Sequence, residues 1–270
     1  MNPIKSAEGW FVLHLYYKLN RQVWASLESQ EVRQSQEAFQ SVLDHFCRSE
    51  HCQAHTYSIW GNKADFGILL VDPDLDHMNE TENLILAALP PAGVEPVHSF
   101  VSMSEISEYL SQEKDYDRTL REKEGLSPDS PEYQEKMEAF RQRIKHYSGD
   151  RLHPQIPPHS VMCFYPMNKA RRDVHNWYSL DFEDRKRLMA GHMVTGRKFA
   201  GKISQLVTGA FGLDDWEWGV TLFTEDPFYL KQILYQMRFD EVSAVYGEFG
   251  EFLVGIRMGT EDLFERLQLS

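Results

Sequence analysis

Three groups of residues have types and spacings that could do chemistry. The first is His45, Cys47, His51, Cys52 and His55, a His-x-Cys-x3-His-Cys-x2-His run. Thiolate and imidazole are zinc ligands, but structural zinc sites draw paired ligands from two knuckles, and no second knuckle follows. A helix end leading into a polar turn is the simpler reading of that run. The second group is Phe164-Tyr-Pro-Met-Asn-Lys169-Ala-Arg-Arg172, with Arg151 upstream. Tyr165 and Lys169 at a strand end, backed by arginines, would suit an anion; a surface basic patch is the plain alternative. The third is His192. Leu188, Met189, His192, Gly196 and Phe199 recur at three- and four-residue steps and share a helix face. Gly196 removes a side chain where something flat could lie against that face. Gln205 is a lone polar residue in the β-branched segment that follows.

On periodicity alone, a histidine in such a stripe is more often structural than a ligand. A neutral imidazole is nonetheless a usual ligand of haem iron, with its other ring nitrogen held by an acceptor. Glu217 and Glu241 are the acceptors expected here. The chain has no Cys-x-x-Cys-His, so any haem would be held non-covalently.

These groups need elements to position them. Trp10–Leu19 reads as a strand, Glu31–Phe46 as a helix, Tyr57–Trp60 and Phe66–Val71 as strands across a Gly61-Asn-Lys turn. Thr81–Leu89 then reads as a helix and Val97–Met103 as a strand, completing a β-α-β-β-α-β unit. A short helix near Ser104–Leu110 leads into a charged stretch, Gln112–Tyr147, read as a solvated helical connector, with a lid over a ligand site as the sharper alternative. The same grammar returns with strands at Val161–Pro166, Ile203–Ala210 and Trp216–Thr224. Helices are expected at Asp181–Lys202, Phe228–Met237 and Glu261–Leu267, and further strands at Val242–Tyr246 and Phe252–Ile256. Leu69-Leu-Val-Asp-Pro73 and Leu222-Phe-Thr-Glu-Asp-Pro227 repeat a strand-to-helix corner 154 residues apart. The expected fold is therefore α+β: two ferredoxin-like βαββαβ halves whose sheets pair into one dimeric α+β barrel. The halves would span 1–104 and 160–270, with the connector at 105–159.

Composition narrows the function classes. A formal net charge of −13 argues against non-specific nucleic-acid binding, so an anionic ligand must meet a local cluster of Arg and Lys. No apolar run is long enough to span a membrane, and Met1-Asn-Pro-Ile-Lys-Ser lacks the apolar core of a signal peptide. Three cysteines make no disulfide framework. A cytoplasmic protein is the expectation.

Five stretches carry a resemblance: Phe164-Tyr-Pro-Met-Asn-Lys169, Asn176-Trp-Tyr178, Gly196-Arg-Lys-Phe-Ala-Gly201, Asp214-Asp-Trp-Glu-Trp-Gly-Val-Thr-Leu-Phe223 and Met237-Arg-Phe-Asp-Glu-Val-Ser243. Together they resemble the coproheme decarboxylases of the chlorite dismutase superfamily. The likeness is dense from Arg151 to Ile256 and thinner, though fold-consistent, from Trp10 to Ser104.

That resemblance implies a substrate, iron coproporphyrin III (coproheme), which is also the redox cofactor, with hydrogen peroxide as oxidant and haem b as product. It implies His192 as the iron ligand and Tyr165 as the residue that becomes a radical and attacks two propionate side chains. It implies contacts to the porphyrin from Arg151, Pro166, Met167, Asn168, Lys169, Trp177 and Ser243. Gln205 would stand on the distal side, where chlorite dismutases have an arginine. Val245 stands where many relatives have an arginine, so one contact would be missing. A homopentamer and transient contact with the coproporphyrin ferrochelatase are implied as well. The alternatives are a haem b-dependent chlorite dismutase or peroxidase, and a non-enzymatic haem-binding module.

Overall fold

The structure is a computed structural model and describes residues 3–269. Its first strand, β1 (Phe11–Leu19), is buried on both faces for seven residues. Strand alternation explains why. Phe11, Leu13, Leu15 and Tyr17 pack outward against helices, while Val12 and Tyr16 point into a second core. After a single turn, α1 (Arg21–Ala25), come α2 (Ser29–Phe46), β2 (Gln53–Trp60), β3 (Phe66–Asp72), α3 (Leu75–Ala88) and β4 (Val94–Ser104). All pairings are antiparallel, in the order β4-β1-β3-β2.

The connector holds α4 (Glu113–Glu122) and α5 (Pro131–Leu152). They form a hairpin around Leu120, Tyr133 and Met137, with Tyr116 stacked on Phe140 at 4.4 Å. The second half follows with β5 (Val161–Lys169), a 3₁₀ turn (Trp177–Ser179), α6 (Phe182–Arg197), β6 (Ser204–Gly209), β7 (Trp218–Thr224), α7 (Pro227–Met237), α8 (Glu241–Tyr246), β8 (Gly247–Phe249), β9 (Leu253–Arg257) and α9 (Thr260–Arg266). Its order is β9-β5-β7-β6, the same as the first half, and β8 pairs on the free end of β5.

Pairing of β2 with β9 and of β4 with β6 joins the sheets at both edges, so the barrel closes and, among the described residues, no long edge is left open. The expected α+β barrel of two ferredoxin-like halves is what forms. Its interior is filled by aromatic rings, Tyr16, Phe100, Phe164 and Phe223 among them. Room for two of these rings comes from glycine: a Cβ on Gly219 would sit 2.5 Å from the Phe100 ring, and one on Gly67 2.8 Å from Tyr16.

Three local expectations are corrected. The repeated corner has a period of 152, not 154. Asp74 caps α3 and Asp226 caps α7, with nearly identical backbone angles, −122° and 114° against −120° and 112°. The Asp-Pro dipeptides are offset because Pro precedes the cap in one corner and follows it in the other. Residues 105–112 are turn and extended chain rather than a helix. Val242–Tyr246 lies in α8, not a strand, because Asp240 caps it by accepting the Ser243 N–H at 2.9 Å.

Candidate active site

The two halves use their outer sheet faces differently. In the first, residues from α2, α3 and α9 fill the space against the sheet. In the second, α6 buries only Leu188 and stands off. Between α6, α7 and the outer face of β5, β6 and β7 lies a cavity of about 600 Å³, within the range of small-molecule and cofactor sites.

Side-chain alternation decides which residues of β5 reach it. Tyr165, Met167 and Lys169 line the cavity. Pro166 and Asn168, expected to bind alongside them, do not: they point to the opposite face. Pro166 packs against the Gly250 backbone, and the Asn168 side chain accepts the Glu217 N–H at 2.7 Å. A contiguous motif cannot present every residue to one side of a strand. Gln205 on β6 and Trp218, Val220 and Leu222 on β7 complete this wall.

Tyr165 is 5% exposed and stacks on Phe252 with ring centres 4.6 Å apart. Burial, with a smaller push from Cys163, raises its phenol well above the usual range, so it is neutral. Lys169 is also buried. Its N–H donates to Glu217 Oε2 at 2.9 Å, and its ammonium lies 4.7 Å from the centre of the Trp177 ring. Burial lowers its pKa to about 8, against the opposing pull of Asp240 and Glu217.

His192 lines the opposite wall. Its Nδ1 is 2.9 Å from Asp240 Oδ2, leaving Nε2 as the free ring nitrogen. Burial alone would raise the Asp240 pKa, but hydrogen bonds from His192 and the Ser243 N–H outweigh it and hold the carboxyl below its ordinary value. The acceptor is thus neither Glu217, which holds the Lys169 backbone, nor Glu241, which faces Arg187 at 3.7 Å. Ser243 lines the cavity, and its hydroxyl is 3.5 Å from His192 Nδ1. Gly196 is not open space: a Cβ there would touch Met237 and the Gln205 amide at 3.5 and 3.9 Å.

Four cationic side chains line the cavity: Arg151, Lys169, Arg185 and Arg238. Arg151 comes from the last turn of α5 and donates to the Glu105 carbonyl at 3.3 Å. Tyr147 of the same helix and residues 105–109 also form the rim, so the charged connector borders the site. Arg185, held by the Leu180 carbonyl, and Arg238, over the Phe249 ring at 3.7 Å, are site residues that the sequence reading misses. The available signal for Arg238 is its place in Met237-Arg-Phe-Asp, inside one of the five stretches. Val245 lies outside the lining. The arrangement suits a large, flat, anionic ligand, with one imidazole whose Nε2 could ligate a metal on one side, a neutral amide on the other wall, and a phenol and an easily deprotonated ammonium at its edge.

The chlorite dismutase family profile matches residues 30–258. A coproheme decarboxylase of Staphylococcus carnosus is 38% identical over 263 residues, covering 96% of both chains. The solved structure of a haem-binding protein from Thermus thermophilus superposes with a TM-score of 0.80 at 35% identity, covering 98% of each chain. A mutant chlorite dismutase from Candidatus Nitrospira defluvii has a TM-score of 0.73 at 13% identity, covering 97% of each, a likeness of fold alone. With its barrel, its cavity and the extent of these matches, the chain belongs to the chlorite dismutase family.

Proposed function

We propose that this chain is a coproheme decarboxylase, oxidising two propionates of iron coproporphyrin III with hydrogen peroxide to give haem b. The observation that carries the reading is the placement of His192, Tyr165 and four cations around one cavity. The donor set fits the substrate. Four cationic side chains suit its four carboxylates, and an imidazole with Nδ1 held by a carboxylate suits iron at Nε2. Bound iron porphyrin would supply the redox centre at which peroxide is reduced.

The chain's own residues divide the rest. Tyr165, once oxidised to a radical, removes a hydrogen from the carbon β to the carboxylate and so regains its neutral phenol. Each round turns one propionate, one peroxide and one proton into a vinyl group, carbon dioxide and two waters. Lys169, its pKa lowered by burial to about 8, would hold and deliver the proton. Arg151, Arg185 and Arg238 would orient the remaining carboxylates, Trp177 and Met167 would flank the ring, and Ser243 would steady a propionate or His192. Gln205 carries no charge to grip an oxyanion, which weighs against rapid chlorite chemistry. On this reading residues 160–270 carry the haem site, 105–159 supply part of its rim and 1–104 brace the barrel. A homopentamer in the cytoplasm, met transiently by the coproporphyrin ferrochelatase, belongs to the same proposal. Among the described residues no helix is long and apolar enough to cross a membrane.

Adding peroxide to the coproheme complex and following porphyrin mass tests the reading. Stepwise loss of two carboxyl groups is expected. An unchanged porphyrin would overturn it, and rapid oxygen evolution from chlorite would favour a chlorite dismutase instead.

A further inference from the structure

The pseudo-twofold relation lets each half serve as a control for the other. At the strand-to-helix corner of the second half, the Thr224 hydroxyl accepts the N–H of the cap residue Asp226 at 3.2 Å, and Asp226 accepts the Phe228 N–H at 2.9 Å. The first half makes the same corner with a carboxylate. Asp72 Oδ1 accepts the Asp74 N–H at 2.7 Å, and Asp74 accepts the Asp76 N–H at 3.1 Å. The cap uses one carboxylate oxygen. The other, Asp72 Oδ2, is 2.6 Å from His77 Nδ1, and Cys52 Sγ is 3.9 Å from that same nitrogen.

All three ligand-capable atoms lie within 4.8 Å of one another. The strand registers, Gln53 beside Val71 and Ser204 beside Phe223, place Ile203 and Thr224 at the equivalent positions of the second half, and the matching caps Asp74 and Asp226 place Tyr229 at that of His77. There the corner forms with no thiol, imidazole or carboxylate in those places. The fold therefore does not require the trio.

The geometry also excludes a nucleophilic relay. Thiol and carboxylate face one and the same ring nitrogen, whereas a relay uses one nitrogen for each. Sulfur, nitrogen and oxygen within 4.8 Å of one another instead have the spacing of a cation site. Asp72 is 1% exposed and Cys52 8%, Phe46 stacks on the His77 ring at 5.0 Å, and the His77 side chain keeps 25% of its surface open as a way in.

We infer that Cys52, Asp72 and His77 form a binding site for one divalent cation of the zinc class, separate from the His192 cavity. Three mixed ligands leave a fourth position for water. Zinc bond lengths put tetrahedral ligand atoms roughly 3.3–3.6 Å apart, so the Asp72–His77 pair opens by under about 1 Å and Cys52 closes slightly. Of the histidine- and cysteine-rich run in the sequence, only Cys52 takes part; Cys47 is exposed.

Cobalt(II) added to the metal-free, porphyrin-free full chain tests the site, because a thiolate ligand gives a charge-transfer band that imidazole and carboxylate do not. One cobalt per chain with that band, displaced by zinc, is expected. Cys52→Ser should abolish the band, and Asp72→Thr, which installs the corner of the second half, should weaken binding at least about tenfold while the fold is kept. Cys47→Ser and His192→Ala should retain it. No thiolate band in the parent chain, or a band that survives Cys52→Ser or disappears with Cys47→Ser, would overturn the inference.

Discussion

His192 Nδ1 and Asp240 Oδ2 are 2.9 Å apart, and the other oxygen of the same aspartate caps α8 through the Ser243 N–H. One carboxylate thus orients the imidazole and starts the helix that closes the cavity. Asp240→Asn keeps an acceptor for the cap and removes the charge. Porphyrin-iron affinity should fall about 10- to 100-fold, with the iron–imidazole stretching frequency lowered, while the melting temperature changes little. Glu241→Gln should leave both properties alone. The same spectral change from Glu241→Gln would place the acceptor elsewhere.

Lys169 sets a pH dependence with a definite sign. Its pKa of about 8 lies below the ordinary lysine value of 10.5. Between those values the unfolded chain still holds a proton on Lys169 that the folded chain has released, so the contribution of Lys169 to stability rises with pH across that window. Denaturant titrations of the ligand-free protein and of Lys169→Met at several pH values should show the parent gaining stability relative to the variant between about pH 8 and 10.5. In turnover, kcat/KM for decarboxylation should fall above about pH 8 in the parent and lose that limb in Lys169→Met. A pH profile unchanged by the substitution would free Lys169 of its proton-transfer role.

The cations give a ligand-selective prediction. Arg151→Ala, Arg185→Ala and Arg238→Ala should each weaken coproheme binding by about 1.5–3 kcal/mol, the worth of hydrogen bonds to charged groups. Binding of haem b, with two fewer carboxylates, should be weakened less by at least one of them. Equal losses for both porphyrins at all three positions would mean that the arginines act on the protein, not on the extra propionates. Titration by Soret absorbance reads the six variant affinities and the two of the parent.

The pseudo-symmetric corners carry a stability prediction. Asp74→Ala and Asp226→Ala each remove a helix cap and should each cost about 1 kcal/mol in chemical denaturation. A cost confined to one of them would contradict equivalent roles in the two halves.

Much of this architecture is legible in the sequence because it is periodic. The strands around Trp10–Leu19 and Phe66–Val71, the helix carrying His192 and the repeated corner follow from spacing and turn residues. What escapes is tertiary, or set by one capping residue or by the alternation of a strand. Asp240 reaches His192 across 48 residues, a contact no local pattern encodes. Val242–Tyr246 has strand-like residue types, yet a single capping aspartate makes it helical. Pro166 and Asn168 share a motif with Tyr165 but not a face, because a strand turns alternate residues to opposite sides. Cys52 finds its partners on β3 and α3, so the histidine- and cysteine-rich run holds the right cysteine and the wrong histidines.

Parallel peroxide titrations of the parent and Tyr165→Phe coproheme complexes, read by porphyrin mass, test the proposed decarboxylation through Tyr165. Two successive carboxyl losses are expected in the parent and an intact porphyrin in Tyr165→Phe, with coproheme still bound. Normal conversion by Tyr165→Phe, or none by the parent, would contradict that proposal.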